Sequence, residues 1–184
     1  MRRAIALLAV CSLLSVQLNA AHAQELSDPV VVESTISIDC SRFDEFTAEG
    51  QALANAQGLC LQGSSESPSD VVGPQGTVWG TCGSAQFQLA DVVQPWRVYV
   101  YQQLNSGGTG SAMIEVLWYY ELYYGDDGYT SYADEAYPWS TLWSRNGTNE
   151  VPPGYVFGFM GGSVLLANGW YCVIDYPYSE TTIY

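Results

Sequence analysis

The chain has 184 residues, with five basic against 19 acidic side chains, a formal net charge of −14 and 48% hydrophobic residues. So acidic a surface repels phosphate polymers and anionic membranes, which excludes nucleic acid as a partner, because affinity there rests on basic side chains meeting phosphates. There is no lysine, and His22 is the only histidine, so a Ser–His–Asp triad, a Cys–His pair, a Schiff base and a phosphate loop all lack a necessary group.

Arg2 and Arg3 precede an apolar run from Ala4 to Val16, and Ala21-His22-Ala23 stands before Gln24. A basic start, a short apolar run and an A-x-A site make residues 1–23 a secretory signal peptide. The run is too short to span a bilayer. Val10, before Cys11, is too bulky for a lipoprotein processing site, and no extended motif follows the twin arginines. Cleavage near Ala23 implies a secreted, periplasmic or cell-surface protein. It leaves 161 of the 184 residues, enough for one domain with a sizeable core, and no further apolar run long enough for a membrane span. Arg42, Arg97 and Arg145 then face all 19 acidic residues, three charges against 19, for a net −16.

Four cysteines remain after the signal: Cys40, Cys60, Cys82 and Cys172. An even count in an exported chain points to two disulfides. Of the three connectivities, Cys40–Cys60 with Cys82–Cys172 is preferred, since the first closes a local segment and the second ties an early strand to the last. Closing the larger loop contributes about 4–5 kcal/mol in the chain-entropy view. No two of these cysteines form a C-x-x-C pair and no histidine completes a set, so neither a metal site nor a cofactor is expected.

In chain order, Val30–Ile38 is β-rich and reads as a first strand. Thr47 caps a short helix over Ala48–Gln57, stopped by Gly58, with Ala48, Ala52, Leu53 and Ala56 facing inward; Gly50 weakens it. Gln62–Gly76 reads as a loop. Candidate strands follow at Thr77–Cys82, Ala85–Leu89, Arg97–Leu104, Ala112–Tyr124, Tyr129–Ala133, Tyr155–Met160, Ser163–Ala167 and Trp170–Asp175, parted by turn residues such as Gly161-Gly162 and Asn168-Gly169. Residues 24–76 hold the first strand, the disulfide-closed segment and a linker. Residues 77–184 form the main β body, in one domain with 24–76.

This spacing predicts an all-β fold, an antiparallel β-sandwich of immunoglobulin-like or jelly-roll-like kind, with one short N-terminal helix at most. Trp96 after Cys82 echoes the tryptophan between two cysteines of immunoglobulin-type sandwiches, but Trp170 stands where such domains carry a tyrosine. The echo supports the architecture and not membership of that family.

Alternation over Ala112–Tyr124 turns Ile114, Val116, Trp118, Tyr120 and Leu122 to the core. Glu115, Leu117, Tyr119, Glu121 and Tyr123 face outward. Over Arg97–Leu104, Val98, Val100 and Leu104 face in, and Arg97, Tyr99, Tyr101 and Gln103 face out. A hairpin about Gly108 would pair Tyr101 with Glu115, Tyr99 with Leu117 and Arg97 with Tyr119, merging both outer faces. Tyr132 and Asp134 would join from the next strand. Trp139 and Trp143 fall in a loop-like segment.

A surface of tyrosine rings among acids can stack sugar rings or dock a protein. Strand propensity alone would also place tyrosines on an outer sheet face. The candidate ligand-binding residues are therefore Tyr99, Tyr101, Tyr119, Tyr123, Tyr132, Trp139 and Trp143. Asp126-Asp127 and Asp134-Glu135 depart from the calcium-loop pattern and read as polar tips. Asn146-Gly147-Thr148 fits a glycosylation sequon.

Carboxylate-pair hydrolysis is the one common catalytic chemistry the composition retains, and it needs two carboxyls roughly 5–9.5 Å apart. Glu115 and Glu121 share a face, but six strand residues separate them by roughly 20 Å. A pair such as Asp134 with Glu121 would have to assemble through the fold. No catalytic residue is assigned. The expected function is an exported, non-catalytic binding or cell-surface module for a glycan or a protein. The alternatives are a structural envelope-associated protein and a carboxylate-dependent glycoside hydrolase.

Overall fold

A computed structural model describes residues 30–60, 71–72, 78–92 and 96–184. The signal segment, Thr77 and most of the loop expected over 62–76 lie outside the described residues. The elements are β1 (Val30–Ile38), a 3-10 helix (Cys40–Glu45), α1 (Ala48–Ala56), β2 (Val71–Val72), β3 (Val78–Trp79), β4 (Gly83–Asp91), β5 (Arg97–Asn105) and β6 (Met113–Tyr124). Then follow β7 (Gly128–Ala136), β8 (Leu142–Glu150), β9 (Gly154–Leu166), β10 (Tyr171–Ile174) and β11 (Tyr178–Ile183).

Nine of these strands form one antiparallel sheet in the order β7-β6-β9-β10-β1-β4-β5-β8, with β11 pairing β1 and β9. The all-β antiparallel expectation therefore holds. β10 and β11 run in the same direction and share one place between β1 and β9, interrupted at Asp175-Tyr176-Pro177. The sheet folds over on itself. Phe87 of β4 meets Tyr120 of β6 with ring centroids 6.2 Å apart, and Trp143 of β8 meets Trp118 of β6 at 5.4 Å. The core lies between these layers and holds Phe87, Leu89, Val98, Val100, Leu104, Val116, Leu122, Met160, Leu166 and Ile174. Strict alternation on β4 and β5 feeds it, since every second side chain of a strand points the same way.

Disulfides join Cys40 to Cys60 and Cys82 to Cys172. Both Cys82 and Cys172 are fully buried, and their bond fastens the start of β4 to β10.

Several expectations are corrected. Arg97–Leu104 and Ala112–Tyr124 do not form a hairpin: β5 pairs with β4 and β8, and β6 with β7 and β9. The inner faces of β5 and β6 are both apolar, so they oppose each other across the core and their outer faces point apart. Gly161-Gly162 is no turn but the bend of a single 13-residue strand, β9, which pairs with β6 on both sides of it. β8 reads as a loop in sequence because L-W-S-R-N-G-T-N-E is polar, yet nine of its residues pair with β5; the ladder overrides propensity. Trp143 therefore lies on an inward position of a strand. β11 is a further strand that the sequence pattern did not reveal. Of the strand expected over Thr77–Cys82, the described residues Val78–Cys82 are strand only at Val78–Trp79, paired with Val71–Val72.

Thr47 caps α1 as expected, its side chain accepting from the Gly50 N–H. The inward face is Gly50 and Ala54, while Ala48, Ala52, Leu53 and Ala56 are exposed. Gly50 sets this orientation. A Cβ there would lie 2.9 Å from the Asn168 carbonyl oxygen, and the Trp170 indole donates to the Gly50 carbonyl at 2.9 Å. Trp96 is 61% exposed, so it is not the core tryptophan that the immunoglobulin echo implied.

Candidate functional site: an aromatic outer face and an open seam

Tyr119 and Tyr123 of β6 point outward, as their parity requires, and find ring partners on β7 and β9. The register sets Glu121 opposite Phe159, Tyr123 opposite Phe157, Tyr178 opposite Phe159 and Glu180 opposite Phe157. A continuous field of rings results. Tyr123 lies 5.3 Å from Tyr129 and is stacked on Phe159 at 6.2 Å; Phe157 meets Tyr178 at 5.8 Å; Phe159 meets Tyr119 at 6.4 Å and Tyr176 at 5.9 Å. Tyr123, Tyr129, Tyr176 and Tyr178 are exposed. Phe157, Phe159, Tyr155, Tyr176 and Tyr178 were not singled out from sequence. The alternation Tyr155, Phe157, Phe159 is the signal that could have found three of them.

Carboxylates are woven into this face. The Tyr123 hydroxyl donates to Glu121 at 2.5 Å and the Tyr155 hydroxyl to Glu180 at 2.5 Å. The hydrogen bond to Glu121 pushes the Tyr123 phenol up to about 12. Burial, then a hydrogen bond with Tyr176, pushes Tyr119 up to about 12 as well. Glu115 and Glu135 lie on the same side, flanking Leu117. The described arginines are engaged elsewhere: Arg42 with Glu45, Arg97 with Glu150 and Arg145 with Asp134. The ring field is therefore both apolar and net negative.

The other candidates separate. Tyr99 and Tyr101 sit on the outer face of β5, opposite Thr148 and Asn146 of β8, in the other layer. The Tyr101 hydroxyl donates to Gln103 at 2.6 Å. Tyr132 and Asp134 pair with Tyr120 and Trp118, so they share the inward parity of β6 and do not join the ring field. Trp139 is 71% exposed in the β7–β8 connection. Trp143 is buried against Trp118 and offers no face to a ligand.

Tyr132 and Asp134 mark a second feature. β7 and β8 are the two ends of the sheet, and side chains bridge them. Arg145 of β8 donates to Asp134 at 2.7 Å and to the Tyr132 hydroxyl at 3.0 Å, while the Tyr132 hydroxyl donates to Asp134 at 3.0 Å. Its guanidinium lies 5.1 Å from the Trp118 ring centroid and 5.5 Å from that of Tyr132. These bonds, led by one from the Glu135 N–H, hold the Asp134 carboxyl below its ordinary range. Beneath the bridge is a slot of about 210 Å³ whose lining includes Gln102, Trp118, Tyr120, Tyr132, Arg145 and Asn149.

Comparison with known protein families, curated proteins and solved structures finds no match to this chain. Among the described residues no three histidine, cysteine, aspartate or glutamate side chains gather as metal ligands, and no helix is long and apolar enough to cross a membrane.

Proposed function

We propose that the chain is an exported binding module whose ring field receives a neutral glycan chain. The observation that carries this reading is the uncovered aromatic face of β6, β9 and β11. From Glu115 to Tyr123 it runs roughly 27 Å along the strand direction, at about 3.4 Å per residue. A contiguous exposed apolar patch on a soluble domain marks an interaction site more often than chance. Rings supply flat stacking surfaces, and Glu121 and Glu180 keep free lone pairs that accept from sugar hydroxyls. The uncompensated carboxylates repel anionic polymers, which restricts the ligand to uncharged or amino-bearing sugars. Two disulfides and the basic-apolar N-terminal segment support export.

Affinity electrophoresis against neutral polysaccharides, with an anionic one beside them, tests the reading. Retardation by at least one neutral polymer is expected, lost in Tyr123→Ala and Phe159→Ala chains of unchanged circular dichroism. Free migration through every neutral polymer, or retention undiminished in both variants, would overturn it.

A further inference from the structure

Two residues that line the slot under the Arg145 bridge, Gln102 and Trp118, each carry a polar atom that the fold leaves without a partner. Gln102 is 2% exposed and Trp118 is 3% exposed. The Gln102 Oε1 and the Trp118 Nε1 are both buried and unbonded among the described residues. Such atoms are uncommon, because each forgoes its hydration without a replacement. β5 could carry an apolar residue at 102 as it does at 98, 100 and 104, all fully or almost fully buried. Gln102 breaks that pattern on the stretch of β5 that, with Val100, lines the slot.

We propose that the slot is a second binding site, for a single neutral sugar residue. Its wall is aromatic: Tyr120 stacks on Tyr132 at 5.6 Å and on Trp118 at 6.1 Å. Its rim is polar, with Arg145, Asn149 and Thr148. The Arg145 and Asp134 charges cancel each other, so a charged ligand gains nothing. One orphan is a donor and the other an acceptor, and a sugar hydroxyl is both at once. A volume of about 210 Å³ suits one ring and not a chain. Both orphans are shut from solvent with the Arg145–Asp134 pair in place. Opening it is cheap, since the Arg145 and Asp134 side chains are 42% and 36% exposed and ion pairs of that kind hold weakly. The site does not depend on the ring field, which lies on the outer side of β6.

Tryptophan fluorescence and calorimetry with glucose, galactose, mannose, xylose and arabinose test it, because Trp118 reports directly on the slot. A saturable response to at least one is expected. In Gln102→Leu binding falls at least tenfold while the melting temperature stays level or rises; in Arg145→Gln, which removes the pair that closes the slot, binding is kept or strengthened. Tyr123→Ala, on the ring field, leaves it unchanged. No saturable response to any of the five sugars would overturn the proposal. So would wild-type affinity in Gln102→Leu, a tenfold loss in Arg145→Gln, or a Gln102→Leu chain that melts earlier, which would make the carboxamide a structural group.

Discussion

The hydroxyl end of the Tyr119 ring lies over Gly161, its partner on β9: a Cβ at 161 would come within 2.6 Å of the tyrosine oxygen and 2.7 Å of the ring carbon that bears it. The glycine is thus the seat that lets Tyr119 reach Phe159 and extend the ring field. Gly162 differs, with φ +143 and a would-be Cβ 2.1 Å from the Leu117 carbonyl oxygen. Gly161→Ala displaces a side chain and is expected to cost about 1 kcal/mol while weakening glycan retention. Gly162→Ala meets backbone in a conformation closed to other residues and is expected to cost about 3 kcal/mol or more. Urea unfolding of the two variants checks the order.

Alkaline titration follows from the same ring field. Tyr119 and Tyr123 are both pushed up to about 12, from an ordinary value of 10.0. A phenol whose folded value is raised gives stability that is complete below pH 10 and disappears as pH climbs through 12. Tyrosinate absorbance should therefore show a late fraction among the 14 tyrosines, and unfolding should begin in that window. Tyr123→Phe is expected to remove part of the late fraction. A single titration of all tyrosines near pH 10, in a chain still folded, would contradict this.

Asp134 reports at the acid end. Its folded carboxyl is held below 3.8 by the Glu135 N–H, Tyr132 and Arg145. A lowered value gives stability present above pH 4 and lost as pH falls further. Two-dimensional NMR of the Asp134 carboxyl should place its midpoint below that of free aspartate, and Arg145→Gln should raise it.

The Cys82–Cys172 bond closes a separation of 90 residues and the Cys40–Cys60 bond one of 20. Chain entropy assigns the larger loop about 4–5 kcal/mol and the smaller about 3. Cys82→Ala with Cys172→Ala is accordingly the more damaging pair, the more so as both sulfurs are fully buried in the core. Guanidinium midpoints of the two double variants should differ in that order.

Parity along β5 and β6 was legible because a two-residue period needs no knowledge of the partner strand. Val98 and Val100, and Val116, Trp118 and Leu122, are buried as alternation demands. Which strand lies beside which was not legible, and that error moved the site. A β5–β6 hairpin sets Tyr99 and Tyr101 on one surface with Tyr119, whereas the rings actually beside Tyr119 come from β9 and from Tyr176, more than 35 positions along the chain. β8 escaped notice because its polar residues form a strand only by virtue of β5. The seam is invisible in one dimension, since it exists only where two sheet ends meet.

Trp139 separates stability from binding most cleanly. It has φ +48 and is 71% exposed. A left-handed backbone costs a bulky residue about 1 kcal/mol that glycine does not bear, and an indole so open to water recovers little of it by packing. Stability alone would favour glycine or asparagine here. Trp139→Gly is therefore expected to raise stability by about 1 kcal/mol in urea unfolding. Tyr137, two residues before it, is 59% exposed, and the Glu135 charge, with that of Glu115, pushes its phenol up, which places Tyr137 at the end of the ring field where those two carboxylates lie. If the glycan continues past Leu117 to that end, the same Trp139→Gly chain binds long neutral polysaccharides more weakly and short oligosaccharides as before. Equal loss for both lengths would put Trp139 within the field itself, and no loss at either would end the extended field at Leu117.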